Sequence, residues 1–455
     1  MGHLKLVEDN SQKDAYVRHL SEVNEAQQVV ASEDIYNAQG ILLIKKGQFL
    51  DEKAAKRIVQ YKLLKPLEEN VALENDFCGN QLFDYIINLI AGVEEFRLIH
   101  ESLNIEDELK ELCIIYNSYP LLVQKMTVMS IQLPKTFRSG VASACLSLSI
   151  AHRLHMDFEA KKVVFLAGLV HDIGMLHIDP AIVKKEGKFE PDEWRTMQAH
   201  AVIGYKILDE IPRLPEGVAM AVLEHHERTD GAGYPKGSVG RQLSLEGQIV
   251  AMSDSVFAIY TNRLVNAGHS FKEVLPVVQM NSRVHFYHVY QAFVAVLNGA
   301  NLPDKRRAEG EKIASIADRT VQDFYQLLAI HQVGEPLVKN IPRGTNFKQL
   351  NIALSMLERI YNSISSSGIL LEQHLDWLLA MKNTVDDEEC LEVERASLMH
   401  TEIQWQMHQL YRTLHSVLTE HPAIAEEVKK VIYYFLTRVE EIEKEREMTH
   451  EPELA

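Results

Sequence analysis

The chain has 455 residues, of which 46% are hydrophobic and 24% charged, a balance typical of folded globular domains. Its length predicts about two to four domains and suffices to bury a core without disulfide bonds. The net charge of −17 argues against general binding to DNA or anionic membranes, because the overall field repels phosphate groups.

The four cysteines, Cys78, Cys113, Cys145 and Cys390, form no CxxC pair, so a thiolate metal site is not expected. Scattered cysteines are typical of a reducing compartment. No apolar stretch resembles a secretory signal, and no apolar run reaches the roughly 18 residues of a membrane span. The predicted location is therefore the cytoplasm, with neither DNA nor a membrane as partner.

Residues 1–75 are predicted to form a small α/β unit that serves as a cap or regulatory domain. The polar residues 1–20 indicate a mobile segment. Asp51 is placed to cap a helix that runs to about Tyr61. Turn residues separate three apolar runs, which predict strands at 29–31, 35–36 and 41–44.

From Asn80 onwards the apolar residues have helical spacing. Residues 76–130 are predicted to be a helical linker segment. Residues 137–155 are predicted to form one long helix, whose many Ser and Ala residues favour tight helix contact. The predicted fold class is therefore mainly all-α.

Beyond residue 302, periodic segments predict a C-terminal helical bundle over 303–455. Its helices are expected at 305–332, 346–362, 368–382 and 387–447. The expected breaks lie at 334–336, 342–344 and 365–368 and at Pro422.

A possible metal site begins at His171-Asp172, which follows the apolar run 163–170. Burying a carboxylate beside a histidine is costly unless a cation compensates it. Imidazole and carboxylate together suit divalent Fe, Mn or Zn. Alone, however, such a pair is more often structural than metal-binding.

Further residues strengthen the metal interpretation. His200 lies 28 residues after Asp172, on a helix predicted to open at Pro191. His225 and His226 precede a glycine-rich loop, and Asp254 ends a later apolar stretch. A purely structural explanation of the whole set is improbable.

This pattern resembles the HD-GYP family, a branch of the HD metal-dependent phosphohydrolases. The matching residues are 171–174, 185–188, 193–200 and 225–235, with Asp254 and Arg263 downstream. The resemblance implies an HD-type helical domain, placed here at 131–302. It also implies that this domain is an enzyme, a metal-dependent phosphodiesterase that hydrolyses cyclic di-GMP to a linear dinucleotide or GMP.

The resemblance also implies residue roles. Two divalent ions, Fe, Mn or similar, would be bound by His171, Asp172, His200, His225, His226 and Asp254. Asp172 would be the bridging, catalytic carboxylate, and Lys185, Arg263 and Tyr234 would face the substrate. The signature loop comprises Asp230, Gly231, Gly233, Tyr234 and Pro235, and the family links it to diguanylate cyclase domains as partners.

The sequence departs from the family at several positions. Ser139 stands where a leading histidine is usual, so a third metal is not expected and one of the two sites is weakened. Met175 replaces a lysine, Phe257 an aspartate and Asn266 an arginine. Each lost charge-assisted contact costs on the order of 1.5–3 kcal/mol. His177 is additional, and an exposed loop position is favoured over a ligand role.

Two principal hypotheses follow. The first is an active cyclic di-GMP phosphodiesterase. The alternative is a catalytically impaired module that senses a nucleotide or binds a protein partner, with its C-terminal helices forming a homodimer or docking that partner. Hydrolysis of another phosphate ester is a third, less favoured reading.

Overall fold

The computed structural model describes residues 10–24, 26–229, 231–237, 243–281, 287–305, 311–342 and 344–449. Over these residues the chain is mainly helical, and its named strands form two small antiparallel pairs. The predicted mainly all-α class is therefore confirmed.

The N-terminal unit contains all three predicted strands. Its elements are α1 (Asn10–Val23), β1 (Val29–Ala31), β2 (Ile35–Tyr36), β3 (Leu42–Ile44), α2 (Glu52–Val59) and β4 (Val71–Leu73). Strand β1 pairs with β4, and β2 pairs with β3. The Asp51 carboxylate caps α2, as predicted, by accepting the Ala54 N–H at 2.7 Å.

The predicted mobility of residues 1–20 is wrong for residues 10–20. Tyr16 and Leu20 of α1 are 2% and 0% exposed and join the hydrophobic core of the central helices. The helix has few apolar residues, but Tyr16, Leu20 and Val23 lie three or four positions apart and so share one face. Residues 1–9 lie outside the described ranges.

The central part of the chain consists of packed helices. These are α3 (Gly79–Ala91), α4 (Glu94–Leu103), α5 (Glu106–Tyr116), α6 (Pro120–Gln132), α7 (Pro134–Arg153), α8 (Phe158–Val170), α9 (Pro180–Val183), α10 (Pro191–Gln198), α11 (His200–Asp209), α12 (Val218–Glu224), α13 (Leu245–Ile259), α14 (Val274–Met280) and α15 (Tyr287–Gly299). A 3-10 turn, Ile173–His177, follows α8, and a π-helical turn, Tyr260–Leu264, follows α13.

Helices α7 and α8 touch at backbone distance. A Cβ atom at Gly140 would lie 2.4 Å from the Leu169 carbonyl oxygen, and one at Gly168 would lie 2.9 Å from the Ala144 Cα. Only glycine fits at both contacts. The predicted tight packing of the 137–155 helix is therefore confirmed, and it fixes the end of α8 from which His171 follows.

The predicted C-terminal bundle is also present. It contains α16 (Glu311–Asn340), α17 (Lys348–Ser367), α18 (Glu372–Ala380), α19 (Asp387–Glu420) and α20 (Glu426–Thr449). Gly368 ends α17 with a φ of 72°, and Pro422 lies between α19 and α20. Most of the predicted breaks are thus confirmed.

The break predicted at 334–336 is wrong, because α16 continues through Pro336. Gly334 leaves room for Tyr361, whose hydroxyl donates to the His331 carbonyl across this turn. Leu337 and Ile341 are buried in the bundle core. This packing offsets the hydrogen bond that the proline lacks.

The N-terminal unit shares one core with many of the central helices, and this core extends along the chain from Tyr16 to Val250. Helices α13–α15 contribute mainly to a separate core. The bundle helices pack around another core, to which Met280 of α14 also belongs. None of the helices in the described ranges combines the length and apolar character that a membrane span requires. The four predicted domain boundaries, 1–75, 76–130, 131–302 and 303–455, stay predictions.

Candidate metal centre

The predicted ligand residues come together at the ends and sides of four helices. His171 caps the end of α8, and Asp172 begins the turn that follows it. His225 caps the end of α12, His226 follows it, and Asp254 lies on α13. His200 is the first residue of α11, so the helix that opens at Pro191 ends before it, contrary to the predicted single helix.

Asp172 lies at the centre of the cluster. Its Oδ1 is 3.2 Å from His200 Nε2 and 4.0 Å from His225 Nε2, while its Oδ2 is 3.4 Å from His171 Nε2. Asp254 closes the other side, 3.5 Å from His171 Nε2 and 3.8 Å from His226 Nδ1. One carboxylate thus faces three histidines and the second faces two.

Three of the histidine rings are oriented by backbone carbonyls. His171 Nδ1 lies 2.8 Å from the Gly168 oxygen, His200 Nδ1 2.6 Å from that of Met197, and His225 Nδ1 2.5 Å from that of Val222. Because a carbonyl only accepts, each Nδ1 carries the proton and donates. In a neutral ring the Nε2 lone pair is then directed into the cluster, the usual arrangement of metal-binding histidines.

Burial and neighbouring charges determine the protonation of the clustered side chains. Burial lowers the pKa of His225 and His226 well below the ordinary value, and the adjacent histidines lower both further. These rings are therefore neutral near pH 7. Burial opposes ionisation of Asp172, but His171 and the other histidines outweigh it and lower the pKa of Asp172.

The donor set fits a metal ion. Ligand atoms of Asp172, His200, His225 and His226 all lie within 4.8 Å of one another. His171 Nε2 and Asp172 Oδ1 are buried and make no hydrogen bond within the described part of the chain. Buried polar atoms rarely lack partners, so a cation between them would satisfy both. This site could therefore hold a divalent metal.

The signature loop packs directly over the histidines. The centre of the Tyr234 ring lies 4.6 Å from that of His226, and the backbone N–H of Tyr234 donates to the His226 carbonyl at 3.1 Å. A Cβ at Gly233 would lie 2.3 Å from the same carbonyl, and Gly231 has a φ of 74°. The Tyr234–Pro235 bond is cis. Asp230 lies outside the described residues.

Two buried glutamates fix this loop and were not identified from the sequence. Glu227 accepts the N–H groups of Lys236 and Gly237 at 2.6 and 3.2 Å. Glu224 accepts the Ser244 N–H and hydroxyl at 2.9 and 2.6 Å. The sequence feature that could have indicated them is their position, since Glu224 directly precedes the two histidines and Glu227 directly follows them.

The two cations predicted to face the substrate are both paired with carboxylates. Lys185 Nζ lies 2.5 Å from Glu193 Oε2. Arg263 Nη1 lies 2.5 Å from Glu402 Oε2 on α19, and its guanidinium stands 5.8 Å from the Trp405 ring centre. Tyr234, by contrast, lies over the metal cluster. The substrate-binding roles of all three stay predictions.

The positions that depart from the family pattern have different surroundings. Met175 packs against the hydrophobic core, Phe257 is buried, and Asn266 is exposed. Ser139 is half-buried on α7. One turn later, the buried Ser143 hydroxyl has no hydrogen-bond partner among the described residues.

His177 is neither an exposed loop residue nor a member of the metal cluster. Its Nε2 lies 3.1 Å from the Nζ atom of the buried Lys125, and its ring stacks on that of Tyr16. The prediction that favoured an exposed position is therefore wrong. Lys125 lies 52 residues away in the sequence, so no local pattern could have indicated this contact.

The central part of the chain is similar to known proteins. Residues 114–287 match the family described as HD domain. The chain is 35% identical over 134 residues to the cyclic di-GMP phosphodiesterase response regulator RpfG of Xanthomonas campestris, covering 28% of this chain and 35% of that protein. It is 33% identical over 163 residues to a cyclic di-GMP phosphodiesterase of Thermotoga maritima, covering 35% and 44%.

A third relative has a different named substrate. The 3'3'-cGAMP-specific phosphodiesterase 1 of Vibrio cholerae is 32% identical over 145 residues, which cover 32% of this chain and 33% of that protein. The chain thus spans between about a third and less than half of the length of these three relatives. The signature and the matched segment agree in position. Residues 114–287, called the HD domain below, match the model of that family, and the resemblance to the HD-GYP family is confirmed for this part of the chain.

Proposed function

We propose that the HD domain is a metal-dependent phosphodiesterase that opens cyclic di-GMP to a linear dinucleotide, GMP or both. The observation that carries the proposal is the convergence of four histidines and two aspartates. Three of these histidines are oriented by backbone carbonyls, with their Nε2 atoms close to Asp172. The names of the relatives support a cyclic dinucleotide as the substrate.

The proposed ligands are His171, Asp172, His200, His225, His226 and Asp254. Asp172 is assigned the bridging position, because its two oxygens face different histidines. Two bound divalent ions, Fe, Mn or similar, would activate a water molecule and neutralise charge on the phosphodiester. Asp172 and Asp254 supply the negative charge that would hold both ions in a buried site. Ser139 offers a weaker donor than histidine, so one ion would bind less tightly.

The loop residues have a separate role in this proposal. Tyr234 covers His226 and would limit the access of water from that side. Glu227 holds the loop closed through the Lys236 and Gly237 N–H groups. The loop would thereby position the dinucleotide over the metal cluster.

Hydrolysis of cyclic di-GMP and 3'3'-cGAMP should be measured anaerobically with Mn²⁺ or Fe²⁺, with metal content determined on the same sample. Asp172→Asn should reduce metal affinity and activity by more than the roughly 10- to 100-fold expected for losing an outer-shell partner, and the purified variant should contain less metal than wild type. Asp179→Asn is the control, since Asp179 is exposed, caps α9, and asparagine caps equally well. Metal content and activity that survive in Asp172→Asn would contradict the proposal.

A second candidate function is a nucleotide-sensing or partner-binding module with impaired catalysis. The observation that favours it is the pairing of both substrate-side cations, Lys185 with Glu193 and Arg263 with Glu402. Protein that contains metal and binds cyclic di-GMP without turning it over would support this candidate. Diguanylate cyclase domains as partners, and a homodimer through the bundle, stay predictions.

A further inference from the structure

A buried polar cluster lies beside the metal centre, on the side of the N-terminal unit. Lys125 of α6 is 1% exposed. Its Nζ atom lies 3.2 Å from Glu68 Oε1, 3.1 Å from His177 Nε2 and 3.8 Å from the Tyr16 ring centre. The Tyr16 and His177 rings are stacked, with centres 5.0 Å apart and planes 9° apart.

The charges of the cluster compensate each other. Burying an ammonium group is costly unless it is paired. Burial alone would raise the pKa of Glu68, but the Lys125 ammonium group outweighs it, and the pKa is lowered to about 2. Glu68 is therefore ionised at neutral pH and supplies the countercharge. Because an ammonium group only donates, the His177 Nε2 accepts from Lys125.

His177 connects this cluster to the metal centre through a very short segment. His177 is the last residue of the 3-10 turn, and Asp172 directly precedes this turn. Within it, the Met175 N–H donates to the Asp172 carbonyl at 2.9 Å. At its start the turn is packed against α11, since a Cβ at Gly174 would lie 2.0 Å from the His200 carbonyl oxygen. The turn is thus fixed by α11 at one end and by Lys125 at the other.

The N-terminal unit supplies half of this cluster. Tyr16 lies on α1, and Glu68 lies just before β4. The neighbouring Gln124 side chain donates to the Glu68 and Val71 carbonyls, both at 3.0 Å, and accepts from the Tyr16 hydroxyl at 3.1 Å. A displacement of the N-terminal unit would therefore change the contacts of Lys125 and His177.

We propose that Lys125 is a positioning residue for the metal centre, which, with Glu68 and Tyr16 of the N-terminal unit, holds His177 and thereby the turn that carries Asp172. The inference rests on the proposed function, because it treats Asp172 as a metal ligand. It assigns the N-terminal unit a task that the family signature does not contain. That unit sets how firmly the central carboxylate is held.

The test compares Lys125→Met with the double variant Lys125→Met/Glu68→Gln. The double variant removes both charges, so neither partner is left buried and unpaired. Lys184→Met is the matched control, since Lys184 also links α1 to this region, through Glu22 at 3.2 Å, but is exposed. Cooperative thermal unfolding of each purified full-length variant checks its fold.

Two quantities are measured. Both Lys125 variants should bind Mn²⁺ roughly tenfold more weakly than wild type, the loss typical of an outer-shell partner, while Lys184→Met should be unchanged. In the metal-free protein, amides of residues 173–177 should exchange hydrogen at least several-fold faster in the double variant. This second readout does not depend on metal.

Unchanged Mn²⁺ affinity and unchanged exchange in the folded double variant would overturn the positioning role. An equal loss of affinity in Lys184→Met would also overturn it. If wild type binds no Mn²⁺ but exchange still accelerates in the double variant, the proposed metal centre fails while the mechanical link to the turn is supported. The two failures are therefore distinguishable.

Discussion

Three of the clustered histidines are oriented by the same local device. His171, His200 and His225 each donate from Nδ1 to the carbonyl three residues earlier. For His171 and His225, which stand at helix ends, the carbonyl belongs to the helix that the histidine ends, whereas His200 at the start of α11 reaches back to the last turn of α10. Ring orientation is thus set by local backbone structure, whereas the distances between rings are set by the packing of α8, α11 and α12.

The Glu68–Lys125 pair makes stability depend on pH. The pKa of Glu68 is lowered from 4.5 to about 2 in the folded chain, so the ionised Glu68 carboxylate stabilises the folded chain above about pH 4.5. This stabilisation is lost as the pH falls towards 2. The shift corresponds to about 3 kcal/mol in total. Between pH 5 and 3, the difference in unfolding free energy between wild type and Glu68→Gln should shrink by about 2 kcal/mol.

Urea unfolding at several pH values measures this difference. Glu159→Gln serves as control, because the Glu159 side chain is 74% exposed, so that its ion pair with Lys162 should contribute less than about 1 kcal/mol. A difference between wild type and Glu68→Gln that stays constant from pH 5 to 3 would contradict the lowered pKa of Glu68.

The residues of the site were predictable from the sequence, but several of their contacts were not. The sequence predicted the six clustered residues, because their types and spacings match a metal-binding signature, and the structure brings them together. The contacts of Lys125 with His177 and of Arg263 with Glu402 span 52 and 139 residues. Such pairs depend on how distant helices pack, which no local pattern records. Glu224 and Glu227 were visible beside the histidines, but their loop contacts also require the tertiary structure.

At the scale of elements, the α7–α8 contact positions the first part of the metal centre. Gly140→Ala would place a methyl group 2.4 Å from the Leu169 carbonyl oxygen, a backbone atom that cannot move without displacing the end of α8. Alanine improves helix propensity by up to about 1 kcal/mol. We nevertheless expect a net destabilisation of about 1–3 kcal/mol from overpacking. Mn²⁺ binding should weaken as well, because His171 directly follows α8.

Denaturant unfolding and Mn²⁺ titration measure the two effects. Gly299→Ala is the matched control on α15, since its Cβ would meet nothing within 4 Å and should stabilise by about 0.4–1 kcal/mol. If Gly140→Ala is as stable as wild type, the close contact between α7 and α8 does not require glycine, and the prediction is contradicted.

Most helices were predictable from periodicity, and the errors have local causes. Helix α1 was missed because its few apolar residues, including Tyr16 and Leu20, stand among polar ones. Pro336 suggested a break, yet α16 continues because Leu337 and Ile341 are buried in the bundle. In both cases tertiary burial outweighs the local signal. Strands β1, β2 and β3 were predictable because turn residues separate them, whereas β4 (Val71–Leu73) was not predicted.

At the scale of the whole molecule, polar contacts link the bundle to the HD domain beside the signature loop. Lys348 of α17 donates to the Lys236 carbonyl at 3.1 Å. Glu402 of α19, 1% exposed, pairs with Arg263 and accepts from Asn281 at 2.6 Å. The Glu68–Lys125 cluster makes a corresponding link on the N-terminal side. The HD domain thus has a charge pair with one buried member towards each flanking unit, namely Lys125 on the N-terminal side and Glu402 on the side of the bundle.

The contact between Glu402 and Arg263 is expected to stabilise the folded chain. Glu402→Gln keeps a side chain of the same size but leaves Arg263 without its carboxylate. Since Arg263 is 30% exposed, water screens part of the loss, and we expect about 2 kcal/mol, below the 3–5 kcal/mol of a fully buried pair. Urea unfolding measures this change, and hydrogen exchange should accelerate around residues 260–264 and 399–406.

The control is Glu335→Gln, which disrupts an exposed pair with Lys339 and should change the free energy of unfolding by less than about 0.5 kcal/mol. If both variants are equally stable, Glu402 does not fasten the bundle to the HD domain.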